Sequence, residues 1–277
     1  VAQRLLVFFI GIPTIVLIIF FGFYNHIILN VLAVVFSALA ANEFFNMIEN
    51  KYEIFPKTSI IIFTAAQPFL AYNFILLDLD LSILVWFLVF EIFILMGIES
   101  IKSKSFEKSI EKIAMSVLII FYCGFMITFI SKITALKENA NYFLLLYFIL
   151  VFMCDSGAWF FGILFGKSTR GYFAASPNKS LVGFFGGIFT SVFFGVVIKF
   201  LFPEVFFGPF WKIIVLSAAT GLGAIIGDLI ESVFKRSCGV KDSGTLIPGR
   251  GGVLDSIDSL LLGAPIFYIG IHFLYLI

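Results

Sequence analysis

Residues 113–131 read IAMSVLIIFYCGFMITFIS and contain no charged side chain. A run of about 20 such residues is long enough to cross a hydrocarbon core of about 30 Å as an α-helix. The rest of the chain has the same character, because 61% of its 277 residues are hydrophobic and its mean hydropathy is +1.11. A soluble domain of this length could not bury so much apolar surface. The sequence therefore predicts an integral membrane protein.

Apolar runs of this length occur about nine times along the chain. We predict an all-α, polytopic membrane protein with about nine transmembrane helices, at residues 5–24, 27–48, 58–77, 81–98, 113–131, 142–165, 180–202, 211–234 and 256–277. The first run is too long for the core of a signal peptide, and no small-residue cleavage site follows it. We therefore expect it to remain as a helix.

The distribution of positive charge predicts the orientation of these helices. Nine spans place fourteen of the 18 Lys and Arg side chains on one side of the membrane and four on the other, namely Lys132, Lys137, Lys199 and Lys212. Cytoplasmic loops carry the excess of Lys and Arg. We expect a multi-pass protein of the cell (inner or plasma) membrane with a cytoplasmic amino terminus. The net charge of +1 gives no indication of a nucleic-acid partner, and none is expected.

The longest polar interval is SVFKRSCGVKDSGTLIPGRGGVLDSIDS, residues 232–259. Its PGRGG turn directly precedes the last predicted helix, where backbone N–H groups and the helix N-terminus favour an anion. Lys241 and Arg250 add positive charge to the same interval. These features predict a phosphate site that includes Gly251 and Gly252.

A second candidate for anion binding is residues 166–183, GKSTRGYFAASPNKSLVG. Basic loops next to a membrane span commonly only satisfy the positive-inside rule or contact anionic lipid headgroups, and that alternative stays open. This segment follows the predicted span 142–165 on the cytoplasmic side, and it offers both cations and neutral hydrogen-bonding groups. The side chains that could contact phosphate include Lys167, Asn178, Lys179 and Ser180.

Carboxyl groups lie within or next to the predicted spans, where an ionisable side chain costs roughly 2.5 to 3.5 kcal/mol to insert and is usually functional. Those within spans are Glu43, Glu91, Asp155, Asp228 and Glu231, while Asp255 and Asp258 lie one turn apart at the start of the last helix. Carboxylate oxygens are the protein ligands that hard divalent cations prefer. The sequence thus predicts metal-assisted phosphate chemistry on a lipid at the cytoplasmic face.

The polar motifs resemble the signature of the CDP-diacylglycerol synthase (phosphatidate cytidylyltransferase) family. The matching runs are Ser232-x-Phe234-Lys235-Arg236, Lys241-Asp242-x-Gly244 and Ile247-Pro248-x-Arg250-Gly251-Gly252-Val253-x-Asp255-Ser256-Ile257-Asp258. Residues 155–167 and 176–180 are similar to upstream segments of that family. The chain departs from the family pattern where Arg250 replaces His, Ser256 replaces Arg, and Leu181-Val182 replaces Trp-Glu.

This resemblance implies transfer of the cytidylyl group of CTP to phosphatidate, which gives CDP-diacylglycerol and pyrophosphate. It implies Asp228 and Asp255 as ligands of Mg²⁺, with a second cation as an option and with Asp155 and Asp258 in support. It implies catalytic roles for Lys179 and Lys235 beside those two carboxylates. Substrate contacts are assigned to Lys167, Asn178, Ser180, Arg236, Lys241, Asp242, Arg250, Gly251 and Gly252.

Two other functions remain open at this point. A CTP-dependent lipid kinase for a polyprenol or phytol would use similar metal and triphosphate contacts. A secondary transporter would also account for intramembrane carboxylates. For the enzyme we divide the chain into an N-terminal domain, residues 1–141, of about five helices with a supporting or oligomerisation role, and a C-terminal domain, residues 142–277, of about four helices that carry the catalytic site. A homodimer is among the expected assemblies.

Overall fold

The computed structural model describes residue 11, residues 13–136 and residues 139–276. Within this part of the chain, eight helices are long and apolar enough to cross a membrane. They are α1 (Phe23–Ile48), α2 (Lys57–Leu76), α3 (Ile83–Lys102), α4 (Ser109–Thr134), α5 (Ala140–Leu164), α6 (Leu181–Leu201), α7 (Phe210–Ser237) and α8 (Leu254–Leu276).

The predicted all-α membrane fold is confirmed, and eight of the nine predicted spans coincide with these helices. Of the remaining span, 5–24, residues 5–10 and 12 lie outside the described residues, and residues 13–20 are helical. The chain forms two compact units, which are described separately below.

The first unit comprises residues 1–135 and 238–256, and it contains α1 to α4. Ser37 on α1 donates a hydrogen bond of 3.1 Å to the carbonyl oxygen of Thr64 on α2. Helix α4 includes a π-helical segment, Ile120–Phe125, that packs against α2. A Cβ atom at Gly124 would lie 2.7 Å from the oxygen of Thr64, so only glycine permits this close approach.

A buried polar pair joins α2 to α3 in the same unit. Gln67 donates a hydrogen bond of 2.6 Å from Nε2 to Oε2 of Glu91, and both side chains are buried. A buried carboxyl group is tolerated when it is hydrogen-bonded. Glu91 therefore has a structural explanation that is independent of any substrate.

The second unit comprises residues 136–237 and 257–277, and it contains α5, α6, α7 and most of α8. Small residues allow these helices to pack closely. A Cβ atom at Gly157 on α5 would overlap the hydroxyl of Thr190 on α6, and one at Gly223 on α7 would overlap Ile266 on α8. The hydroxyl of Tyr147 on α5 donates a hydrogen bond of 2.6 Å to the carbonyl oxygen of Leu260 on α8.

Candidate active site

Four carboxyl groups of the second unit lie near one another on three helices. Asp258 on α8 is buried, and its charged neighbours are Asp228 and Glu231 on α7 and Asp155 on α5. The hydroxyl of Ser259 donates a hydrogen bond of 3.2 Å to Oδ1 of Asp155. The packing of α5, α7 and α8 thus gathers side chains that are far apart in sequence.

Cations lie directly beside these carboxyl groups. Nζ of Lys179 lies 2.6 Å from Oδ2 of Asp228, and Lys235 forms an ion pair with Glu231 one turn earlier on α7. Both Lys235 and Glu231 are buried, which excludes water from their pair. Two of the four carboxyl groups, Asp228 and Glu231, are thus paired with cations.

The segment between α5 and α6 is fixed to the end of α7. Nε of Arg236 donates a hydrogen bond of 3.2 Å to the carbonyl oxygen of Ala175. At the other end of the segment, the hydroxyl of Ser180 accepts a hydrogen bond of 3.0 Å from the backbone N–H of Gly183 and so caps α6. Lys167 and Asn178 are exposed on this segment. Their contacts with substrate, and that of Ser180, stay predictions.

The loop of the first unit, residues 238–253, folds around the carboxylate of Asp255. Oδ2 of Asp255 accepts hydrogen bonds from the backbone N–H of Ser243 (2.8 Å), the hydroxyl of Ser243 (2.8 Å) and the backbone N–H of Gly252 (2.7 Å). Gly251 has a φ of +108°, in the region that favours glycine, and a Cβ atom there would lie 2.5 Å from Oδ2 of Asp255. The glycines thus allow the backbone to close on the carboxylate.

The predicted Gly-rich turn is present, and the N–H groups of Gly251 and Gly252 have partners in the loop and at the start of α8. The backbone N–H of Gly251 donates to the carbonyl oxygen of Ile247 over 3.0 Å, while that of Gly252 donates to Asp255. These two glycines therefore shape the turn, and their predicted contact with phosphate stays a prediction. Lys241, Asp242 and Arg250 are exposed on the same loop.

Glu43 belongs to this loop structurally, although it lies on α1. Its Oε1 accepts a hydrogen bond of 2.9 Å from the backbone N–H of Val253. Its Oε2 accepts hydrogen bonds from the backbone N–H of Leu254 (2.8 Å) and from the hydroxyl of Ser243 (3.1 Å). The sequence marked Glu43 only as a carboxylate inside an apolar span, which was the one available signal of its importance.

Carboxylate oxygens suit a hard divalent ion, so the chemistry of these donors fits the implied Mg²⁺. Over the described ranges, no group of three or more His, Cys, Asp or Glu side chains is arranged to hold a metal ion. Asp228 belongs to the second unit and Asp255 to the first. Their joint role as metal ligands stays a prediction.

These observations define a helical membrane protein with ion-paired carboxylates and a Gly-rich loop, a combination suited to phosphate chemistry. A model of the cytidylyltransferase family matches residues 2–274, and the chain belongs to this family.

Curated relatives share part of this sequence. A phosphatidate cytidylyltransferase of Haemophilus influenzae is 41% identical over 156 residues, which cover 56% of this chain and 54% of the relative. One of Staphylococcus epidermidis is 36% identical over 146 residues, 53% of each chain. One of Staphylococcus aureus is 37% identical over 133 residues, 48% of this chain and 50% of the relative. The chain thus spans about half the length of the curated relatives it matches.

Proposed function

We propose that this protein transfers the cytidylyl group of CTP to phosphatidate and releases CDP-diacylglycerol and pyrophosphate. Membership of the cytidylyltransferase family carries this proposal, together with the names of the relatives. The clustered carboxylates of α5, α7 and α8, with Lys179 and Lys235 beside them, support it, because triphosphate chemistry requires both kinds of charge.

The proposed reaction needs no general base. The nucleophile is a phosphate monoester, which is largely ionised near neutral pH because its second pKa is about 6. An oxygen of phosphatidate forms a bond to the α-phosphorus of CTP, the bond from that phosphorus to the β-phosphate oxygen breaks, and pyrophosphate leaves with the electron pair. The protein must neutralise charge and align the two phosphates.

The ion pairs on α7 support a role for Lys179 and Lys235 in neutralising the phosphates. Each ammonium group is held by a carboxylate before substrate binds, so little side-chain entropy is lost on binding. An ammonium group has three donors, so it can contact a phosphate oxygen while it keeps its carboxylate partner. Arg236 would add a planar guanidinium beside the segment that it anchors.

Mg²⁺ is the metal that we propose, held by Asp228 and Asp255 with Asp155 and Asp258 in support. When bound, it would neutralise the charge on the triphosphate. Release of pyrophosphate by the purified protein in detergent, measured with CTP, phosphatidate and Mg²⁺, tests the proposed activity. Omitting phosphatidate should abolish the release.

We also propose a cell-membrane location with the amino terminus and the basic loops in the cytoplasm. A cysteine placed at Lys104 should then be labelled by an impermeant thiol reagent only from the cytoplasmic side, and one placed at Leu79 only from the other side. Both positions are exposed. Cys238 is partly exposed and should first be replaced by Ser. Cys123 and Cys154 are buried and will react slowly with the reagent. Labelling of both positions from the same side would contradict the proposed topology.

A further inference from the structure

Glu43 lies about 200 positions before the loop at residues 238–253, yet its carboxylate accepts hydrogen bonds from that loop and from the start of α8. We propose that Glu43 is a positioning residue that holds residues 238–256 in the conformation in which the loop surrounds the carboxylate of Asp255. It would act through the loop and through Asp255, without itself contacting substrate. The catalytic consequence rests on the proposed function, whereas the structural consequence does not.

The two carboxylate oxygens of Glu43 cap the N-terminus of α8. The first N–H groups of a helix have no partner inside the helix, and a carboxylate there also benefits from the helix dipole. Glu43 accepts hydrogen bonds from the N–H groups of Val253 and Leu254 at 2.9 and 2.8 Å. Its side chain is buried, with only 7% of the residue exposed, so water cannot easily replace it.

Gly244 and Gly252 of the loop pack directly against the carboxylate of Glu43. A Cβ atom at Gly244 would lie 2.7 Å from Oε1 of Glu43, and one at Gly252 would lie 2.3 Å from Oε2. A side chain at either position would therefore displace the Glu43 carboxylate from its hydrogen bonds. The backbone therefore contacts the Glu43 carboxylate at two positions of the loop, Gly244 and Gly252.

Ser243 connects Glu43 to the predicted metal ligand. Its hydroxyl lies 3.1 Å from Oε2 of Glu43 and 2.8 Å from Oδ2 of Asp255, and the backbone N–H of Asp255 donates to it over 3.3 Å. A hydroxyl has one proton to donate, so the two carboxylates share it. A change at Glu43 should therefore disturb the orientation of Asp255.

Limited proteolysis with trypsin tests the structural part of the proposal. Lys241 and Arg250 are exposed cleavage sites within the loop, and Lys104 is an exposed reference site in another loop of the same unit. Glu43→Gln keeps the size of the side chain, but its NH₂ group would face either the N–H of Val253 or the N–H of Leu254, and neither can donate to it. We expect cleavage at Lys241 and Arg250, relative to Lys104, to become about tenfold faster, because loss of a helix cap favours local opening.

Glu91→Gln is the matched control, since it makes the same Glu-to-Gln replacement at another buried glutamate of the same unit, which contacts Gln67 instead of the loop. Its cleavage ratio should equal that of the parent protein. Glu43→Asp keeps the charge but shortens the reach, and it should fall between the parent and Glu43→Gln. If Glu43→Gln does not yield folded protein, Ser243→Ala gives the same test with a rise of about threefold. An unchanged ratio in the variant tested overturns the proposal.

Kinetics separates positioning from a general loss of folded protein. A reduced folded fraction lowers the total rate but leaves the KM for CTP and the Mg²⁺ requirement of the folded molecules unchanged. We expect Glu43→Gln to raise the KM for CTP and the Mg²⁺ requirement by about tenfold each. The control, Glu91→Gln, should leave both quantities at the parent values. Unchanged values of both in an active Glu43→Gln protein would contradict the positioning role. If the parent protein shows no CTP-dependent activity while Glu43→Gln still opens the loop, the proposed function fails and the structural role of Glu43 stands.

Discussion

Replacing Asp228 by Asn is expected to lower kcat/KM for the proposed cytidylyl transfer by about a hundredfold or more. Asp228 is a predicted metal ligand, and its Oδ2 lies 2.6 Å from Nζ of Lys179. An Asn side chain at this position would lose the negative charge that both a metal ion and Lys179 require. Initial rates measured over a range of Mg²⁺ concentrations provide the test.

The Mg²⁺ dependence distinguishes the two roles of Asp228. If Asp228 only neutralises Lys179, the Mg²⁺ concentration that gives half the maximal rate should be the same in Asp228→Asn and in the parent protein. If Asp228 holds the metal, this concentration should rise by about tenfold or more. An unchanged Mg²⁺ requirement, or normal turnover of Asp228→Asn at low Mg²⁺, would contradict the assigned metal role.

Replacing Asp255 by Asn is expected to cause a loss of similar size, about a hundredfold or more, together with a higher Mg²⁺ requirement. The hydrogen bonds in the loop make this substitution informative. Oδ2 of Asp255 accepts three hydrogen bonds from Ser243 and Gly252, and the amide oxygen of Asn can occupy that position. The charge and the second carboxylate oxygen are lost, and these are what a metal ion needs.

Asp255→Ala serves as the comparison, because it removes the loop contacts as well as the charge. Tryptic cleavage at Lys241 and Arg250 should accelerate in Asp255→Ala and remain near the parent rate in Asp255→Asn. An inactive Asp255→Asn protein with an intact loop would support metal binding. An active one would show that Asp255 serves only to organise the loop.

Hydropathy was sufficient to predict the helices of the described residues. The predicted span 142–165 corresponds to Ala140–Leu164, and the predicted span 180–202 corresponds to Leu181–Leu201. Such agreement is expected because the length of a membrane helix is set by the thickness of the bilayer. The π-helical segment of α4 was not predicted, because hydropathy does not encode the backbone hydrogen-bond pattern within a helix.

The candidate site was predicted in part. The motifs identified Asp228 and Lys179, and the structure shows them in contact. Sequence could not predict that Glu43 caps α8, because a hydrogen bond between residues 43 and 254 depends on tertiary packing. Likewise, the turn at residues 248–252 predicted glycines near a phosphate, whereas the described hydrogen bonds of Gly251 and Gly252 stay within the loop and the start of α8.

The fate of the α- and γ-phosphates of CTP tests the central claim most directly. The purified protein should be incubated with phosphatidate, Mg²⁺ and CTP that is radiolabelled at either the α- or the γ-phosphate, and the lipid and aqueous products should be separated. We predict that the α label enters the lipid as CDP-diacylglycerol and that the γ label appears in pyrophosphate. Transfer of the γ label to a lipid with release of CDP would identify a lipid kinase and contradict the proposed cytidylyl transfer. Absence of the α label from the lipid would contradict it as well.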